Sequence, residues 1–529
     1  MTRFVISIAC INDPFSYPMN FDSSCGIRGV VLATITVVLT QCVYAQTIHA
    51  AHSGSAYNPG RRINSVYDDI NPVLSADGKS LYFGRKHAPT NKGGRRDPED
   101  VYITQYVNGE WSPAANAGSD LNTEGADNMC AVTPDNKKLY FFVRRNGNTG
   151  YFGYRERTVS GWSEMKHSGL EITNRSDYLE SCLAFDEQAI VFTANTKENL
   201  SAQTDSDERD IYVAVRKPDG TWARPVNLGP QVNTAGDEYS PFLAADGRTL
   251  YFATNGRGGF GGVDLFVTRR VGDGWTEWTP PVNLGPEINS PEFEGYLSLP
   301  IRGNRALFVT RHRTISGTDI MAATLPQHLL PSPVSLVRGI VRDDKTNAEI
   351  RATITIKCIH EHRQFTAANY AVAAEPGEVV EFTVQADGYF TKVETISAPD
   401  LGVGLIEQNI QLTRITSAGV FSGPIFFDAG TAALKPEVLP VLDSLVGVLR
   451  MNPRITVAIH GHTDNRGTIR KLRELSRERA KEVKAYFVAR GIGQQRIRFK
   501  GAGPAQPIAL NDSEVNRSRN RRVEFYFVN

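Results

Sequence analysis

Asp464 stands in the segment IHGHTDNRG, directly after an apolar run, and Arg479 follows fifteen residues later inside LRELSRERAKEV. A carboxylate answers an ammonium, and a planar guanidinium answers a carboxylate with two parallel hydrogen bonds. The two residues could therefore hold a ligand carrying both charges at one end, or pair with each other and tie a loop to a helix. Backbone N–H groups of the loop ahead of that helix are also open to an anion. Other chemistry-bearing residues carry less. His360 and His362, either side of Glu361, would share one strand face, but no third metal ligand stands nearby, so plain strand residues are expected. Gly256, Gly258 and Gly261 fit G-x-G-x-x-G, yet the VDLFVTRR that follows alternates as a strand where a dinucleotide site needs a helix N-terminus. A glycine-rich loop is expected there. The chain has no G-x-S-x-G, no HExxH and no obvious acid/base pair of carboxylates, so a binding protein without metal or cofactor is expected rather than an enzyme.

The elements that must position Asp464 and Arg479 lie within residues 416–529. GPIFFDAGTAAL opens with a strand and a turn, and Pro436 marks a helix start. Val438, Leu439, Val441, Leu442, Leu445, Val446 and Leu449 then form an apolar helical stripe that Pro453 ends. RITVAIHG is a buried strand. Leu475, Ala480, Val483 and Phe487 mark the core side of a second helix that stops near Gly491, and RIRFKGAG and RVEFYFV add two strands. The order β-α-β-α-β-β predicts a two-layer α/β sandwich.

The chain has 529 residues, 41% hydrophobic and 22% charged, enough for about three domains. Its net charge of +1 implies no bulk attraction to nucleic acid, but the charge is unevenly spread. From Thr416 onward there are 19 Lys and Arg against 10 Asp and Glu, leaving 39 against 47 of the chain's 58 and 57 for the rest. The C-terminal part is the basic one.

The middle of the chain repeats. SADGKSLYF (75–83), TPDNKKLYF (133–141), AFDEQAIVF (184–192), AADGRTLYF (244–252) and PIRGNRALF (300–308) recur at intervals of 58, 51, 60 and 56 residues. Most pair an Asp-Gly-like turn with an alternating apolar run, PIRGNRALF being the degenerate copy, and most precede a second strand and a Gly just ahead of a Trp. PVNLGPQVNT and PVNLGPEINS read as connections between repeats. Residues 63–325 resemble the PD40 or WD40-like repeats of exported bacterial proteins, which implies an all-β propeller of five blades, or six, its first and last copies sharing a blade. Residues 326–333 (PQHLLPSP) read as a linker. The alternating strands of 334–413 predict a small all-β sandwich, a rigid spacer that resembles the carboxypeptidase regulatory-like domain, with Gly388-Tyr389 among the shared residues.

In the last domain FFDAGTAAL, HGHTDNRG, LSRERA, GIGQQRI, GAGPAQP and NRRVEF, in that order, are similar to the OmpA-like C-terminal domain. The resemblance implies non-covalent binding of peptidoglycan. Asp464 and Arg479 occupy the positions that in this family clamp the two charged ends of the diaminopimelate residue of the stem peptide, and Thr463 and Arg522 would add contacts. One departure is Leu472, where the family usually has Asn. Diaminopimelate offers an ammonium and a carboxylate on one free end, which suits an acid and a guanidinium, and the basic surplus suits an anionic polymer.

Arg28 precedes the apolar run Gly29–Thr40, and Val43-Tyr44-Ala45 predicts cleavage after Ala45, so residues 1–45 read as an export signal and 46–62 as a linker; translation from Met19 is an alternative start. A lipid-attachment reading at Cys42 is disfavoured by Gln41. Cys130, Cys182 and Cys358 would remain; Cys130 and Cys182 fall at nearly the same phase of neighbouring repeats, so a disulfide is open to them, but two buried thiols are expected. The whole implies a periplasmic protein, associated with the outer membrane, that holds the wall and docks an envelope protein on its propeller. The domain order resembles a component of type IX secretion, which also carries a helical-repeat domain not seen in this sequence. The other reading has the propeller capture a glycan or peptide, with the wall as attachment.

Overall fold

A computed structural model describes residues 55–145, 148–176, 178–200, 208–315, 317–359, 362–398, 404–415 and 424–528. The expected export signal, Met19, Cys42 and the His360-Glu361 pair lie outside the described residues. His362 is exposed, and no group of three metal-ligating side chains occurs among the described residues.

Between Asp69 and Thr324 the chain forms five successive antiparallel sheets of three to five strands. Their first strands are β1 (Asp69–Leu74), β2 (Met129–Val132), β3 (Ser181–Leu183), β4 (Glu238–Leu243) and β5 (Glu294–Ser298). The tight turn after each needs one residue in the left-handed region, and Gly78, Asn136, Glu187, Gly247 and Gly303 take it at equivalent positions. In four of the five an aspartate one residue earlier (Asp77, Asp135, Asp186, Asp246) accepts the N–H two residues on, which is why Asp-Gly recurs in the sequence. Each sheet's first strand touches the next, and β5 returns to touch β1. Side chains stitch these contacts: Asn71 donates to Met129 O at 2.6 Å, Asn128 to Leu179 O at 2.8 Å, and Ser240 Oγ accepts from Tyr296 N at 2.8 Å. Cys130 and Cys182 are buried free thiols lining the small cavity these strands enclose. Tyr57, from the expected linker, pairs with Ala322 in both directions at 2.9 Å, so residues ahead of 63 add a β-bridge to the last sheet. The Gly256–Gly261 segment is a loop; the N–H groups of Phe260 and Gly261 bind Asp264, which heads the next strand.

Residues 326–333 are packed rather than free: Tyr251 donates to Leu329 O at 2.6 Å and Leu329 is buried. Beyond them two four-stranded sheets, one built on Ser335–Asp343 and the other on Ala352–Lys357, enclose Val337, Val341, Ile354, Ile356 and Phe382. This unit sits on the turn side of the five sheets. Leu336, fully buried, packs with Ala76 and Ile301 against Phe185 and Ala245, all from those turns, and Arg338 pairs with Asp135 at 2.8 Å.

The C-terminal domain comprises β6 (Ile425–Phe426), α1 (Leu439–Met451), β7 (Thr456–His462), α2 (Ile469–Ala489), β8 (Ile497–Gly503), α3 (Glu514–Asn520) and β9 (Arg522–Val528). The sheet order is β6-β9-β7-β8, with β7 and β8 parallel and the other pairs antiparallel. Both long helices cover one face. Leu442, Leu445, Val446 and Leu449 of α1 and Ala480, Val483 and Phe487 of α2 close on Val457, Ile459, Val523 and Phe525. The expected β-α-β-α-β-β order is corrected by α3, which polar residues build through a Ser513 cap that accepts the Asn516 N–H. Val441, expected in the stripe, is exposed, because the helix turns that position past the sheet edge, and Leu475 is only half-buried. Ser476 takes the place against the sheet. A Cβ on Gly461 would meet Ser476 O at 1.9 Å and one on Gly501 would meet Ser476 Oγ at 2.5 Å, so α2 lies directly on β7 and β8 at that crossing.

Candidate functional site

The crossing at Ser476 determines what the next turn of α2 reaches. Ser476 Oγ accepts from Gly503 N at 3.0 Å and donates to Arg473 O at 2.8 Å, pinning the helix to the end of the sheet. Three residues on, Arg479 is carried under the C-terminal end of β7. It is fully buried and each of its nitrogens is engaged: Nε with Thr431 O at 2.9 Å, Nη1 with His462 O at 2.9 Å and Nη2 with Asp428 O at 2.8 Å. Its guanidinium also stacks 5.1 Å from the Phe427 ring centre. Burial, reinforced by the nearby Arg521 and opposed by Asp464 and Asp428, pushes its pKa down to about 10, so it stays cationic at neutral pH.

Asp464 follows β7 by two residues and is 6% exposed. It does not pair with Arg479. Its Oδ2 accepts from Arg521 Nη1 at 3.0 Å and its Oδ1 from the Arg466 N–H at 3.0 Å. Arg521 Nη1 also lies 2.8 Å from Glu514 Oε1 of α3, which Arg466 and Arg517 approach as well. Thr463 is held by its N–H to Gly503 O at 3.0 Å, while its buried hydroxyl has no partner among the described residues.

Arg522 lies elsewhere. Adjacent strand residues point to opposite faces, so as Arg521 turns to Asp464, Arg522 turns to the sheet face that carries no helix. There it binds Glu524 Oε1 at 2.7 Å and Gln506 O at 3.0 Å, beside His462 and Tyr526. His462 is 1% exposed and neither ring nitrogen is hydrogen-bonded, its Nε2 lying 3.4 Å from Glu524 Oε2. Burial, with the Arg522 charge, lowers its pKa to about 4. The residue that sequence reasoning missed is Arg521. Its signal was present in the Arg-Arg pair, but which of two consecutive arginines faces the loop depends on strand phase, and that is settled only where β9 begins.

Leu472, at the departure from the family pattern, is buried and packs beneath the loop: a Cβ on Gly467 would stand 3.5 Å from its Cδ2. The arrangement is thus a carboxylate, two guanidinium groups and a buried hydroxyl at one end of a two-layer α/β domain.

The residues that build this domain are similar to those of several known bacterial proteins. The OmpA family model matches residues 426–521. The outer membrane protein A of Bordetella avium is 37% identical over 143 residues, 27% of this chain and 73% of that protein. The peptidoglycan-binding protein ArfA of Mycobacterium tuberculosis is 40% identical over 105 residues, 20% of this chain and 32% of that protein. Among solved structures, the peptidoglycan-associated lipoprotein from Burkholderia pseudomallei aligns at 24% identity over 20% of this chain and 91% of that one, with a TM-score of 0.20. The chain belongs to the OmpA family, its C-terminal domain carrying the likeness.

Proposed function

We propose that the protein is a non-catalytic periplasmic component of the cell envelope, associated with the outer membrane, that binds peptidoglycan through the diaminopimelate of the stem peptide. Its five sheets, read as a five-bladed propeller, dock an outer-membrane or secretion-associated protein. The observation that carries the wall-binding reading is the convergence on the turn after β7 of Asp464, the buried hydroxyl of Thr463 and the positive charges of Arg479 and Arg521. Asp464 answers the ammonium of a diaminopimelate end, and the guanidinium groups answer its carboxylate. The names of relatives such as the peptidoglycan-binding protein ArfA support the same class of ligand. The ring of contacts from β1 round to β5, closed by Tyr57 on Ala322, supports the propeller reading.

The end of the C-terminal domain that meets the spacer is the one opposite the site. Thr391 binds Asn452 Oδ1 at 2.8 Å and Phe390 stacks edge-on with Phe527, at the start of β7 and the end of β9. The site therefore faces away from the rest of the chain, as a tether requires. The test is co-sedimentation of the full chain with purified sacculi, wild type against Asp464→Asn. Loss of one charge-assisted contact, about 2 kcal/mol or some thirtyfold, should leave the variant in the supernatant while wild type pellets. A wild type that stays in solution, or an Asp464→Asn that pellets with it, overturns the proposal.

A further inference from the structure

We infer that the five sheets hold a binding site for an alkylammonium group where their first strands begin, with Glu99 as its carboxylate and Tyr239, Phe293 and Tyr296 as its aromatic wall. The inference does not depend on wall binding by the C-terminal domain.

Glu99 is the residue that calls for a ligand. It is 9% exposed, yet its carboxylate makes no hydrogen bond or ion pair with the described residues. Burial, opposed by Lys86 and reinforced by Asp127, Asp100 and Asp97, pushes its pKa up to about 7. Those aspartates are spoken for, each accepting a backbone N–H of its own turn: Gly93 for Asp97, Lys92 for Asp100 and Thr123 for Asp127. Of the four acids Glu99 alone is left without a partner, and a buried charge in that state is costly until a cation meets it.

Its direction follows from the fold. Glu99 and Arg209 hold equivalent places: each precedes the aspartate that opens the third strand of its sheet, and each accepts through its carbonyl the N–H that leads into the next sheet, from Asp127 at 3.0 Å and from Glu238 at 2.9 Å. From that place Arg209 reaches inward to Glu180 at 2.8 Å and Asp237 at 3.1 Å. Glu99 reaches inward over Gly84, where an added Cβ would stand 2.1 Å from its Oε1. The missing side chain at Gly84 is what makes room for the carboxylate. Burial, Glu180 and Glu99 together push the pKa of the Tyr296 hydroxyl well up, so both acids face that ring.

The wall is aimed by strained backbone. Asn71, Ser240 and Tyr296 take equivalent positions in β1, β4 and β5, each where the strand register shifts and each in the left-handed region, with φ of 50°, 40° and 54°. That conformation is costly for a tyrosine and is kept where a side chain must be re-aimed. Tyr296 donates to Glu180 Oε1 at 3.3 Å, and Tyr239, Phe293 and Tyr296 run in series with ring centres 6.2 and 6.3 Å apart. The wall already accepts cations: Arg209 lies 4.7 Å from the Tyr239 ring centre and Arg311 5.6 Å from that of Phe293. Three carboxylates, Glu99, Glu180 and Asp237, stand against Arg209 and Lys86, so the group that balances the site is positive. Aromatic faces beside a free carboxylate suit an ammonium on an aliphatic stem.

The experiment is calorimetric titration of the full chain carrying Asp464→Asn, so that the carboxylate of the C-terminal domain takes no amine. The probes are cadaverine and an acetyl-glycyl-lysyl-glycine amide, with the same peptide carrying norleucine for lysine as the uncharged counterpart. At least one charged probe should bind saturably and about tenfold or more tighter than the norleucine peptide. Adding Glu99→Gln should weaken that binding about tenfold or more. Gly84→Ala should weaken it too, because the methyl displaces the carboxylate without removing its charge. Lys86→Met removes the rival cation and should tighten binding about threefold. Melting curves check that each variant is folded. Cadaverine bound more tightly than the lysine peptide identifies a free amine as the ligand, the reverse order identifies a lysine of a protein segment, and either upholds the site. Binding of neither charged probe, no preference over the norleucine peptide, or a folded Glu99→Gln with undiminished affinity overturns the inference. If Glu99→Gln does not fold, Gly84→Ala and Lys86→Met decide, and unchanged affinity in both overturns it.

Discussion

A buried arginine with three carbonyl partners is a structural clamp whatever else it touches. Arg479 ties the Asp428–Thr431 turn to the end of β7, so Arg479→Met leaves three backbone acceptors, the buried His462 O among them, without their donor and should cost about 3 kcal/mol in urea unfolding, with Arg479→Lys intermediate. Lost sedimentation in an Arg479 variant would therefore report folding as much as binding, which is why Asp464→Asn is the cleaner probe. His462 makes a second prediction. Its folded pKa of about 4 lies below the ordinary value of 6.5, so the unfolded chain binds more protons between those values. Its contribution to stability is complete above about pH 6.5 and is lost as pH falls toward 4. The C-terminal domain should lose on the order of 2 kcal/mol across that window, and His462→Leu should flatten the slope seen in urea midpoints at pH 7 and pH 4.5.

At the scale of the element, the contact of α2 with the sheet is the point of greatest sensitivity. Gly461→Ala would drive a methyl against Ser476 O, a backbone atom, at 1.9 Å. The helix must lift, and Arg479 lifts with it. A loss of about 3 kcal/mol together with lost sacculus binding is expected. Gly447 of α1 is the matched contrast, since an added Cβ there meets nothing within 4 Å. Gly447→Ala should stabilise the domain by about 0.5–1 kcal/mol through the unfolded state and leave binding unchanged. Thermal unfolding of the pair separates the two effects.

Across the whole molecule, the unit of residues 335–412 is seated on the turn side of the five sheets through Leu336 and the Arg338–Asp135 pair. Leu336→Asp places a charge in that apolar cluster and should release the spacer, at a cost of about 3 kcal/mol or more to the interface. Limited proteolysis should then cut within residues 326–333, which the packed wild type protects. A variant as resistant as wild type would show that the ion pairs alone hold the two units together.

Local patterns were readable from residue types alone. The repeat of Asp-Gly-like turns announced five sheets because a tight turn needs a left-handed residue and an acceptor for its N–H, and both leave a mark in sequence. The helices and strands of the last domain were readable for the same reason: apolar spacing follows from 3.6 and 2.0 residue periods. The short α3 was not, since it is polar but for the exposed Val515 and is held by a cap and by its neighbours. The types and spacing of Asp464 and Arg479 were also legible, but not whom each would hold. Whether Asp464 met Arg479, Arg521 or Arg522 depended on where β9 begins and how closely α2 lies on the sheet. Such choices are made by packing between segments distant in the chain, where one residue of strand phase or one methyl at Gly461 changes the partner.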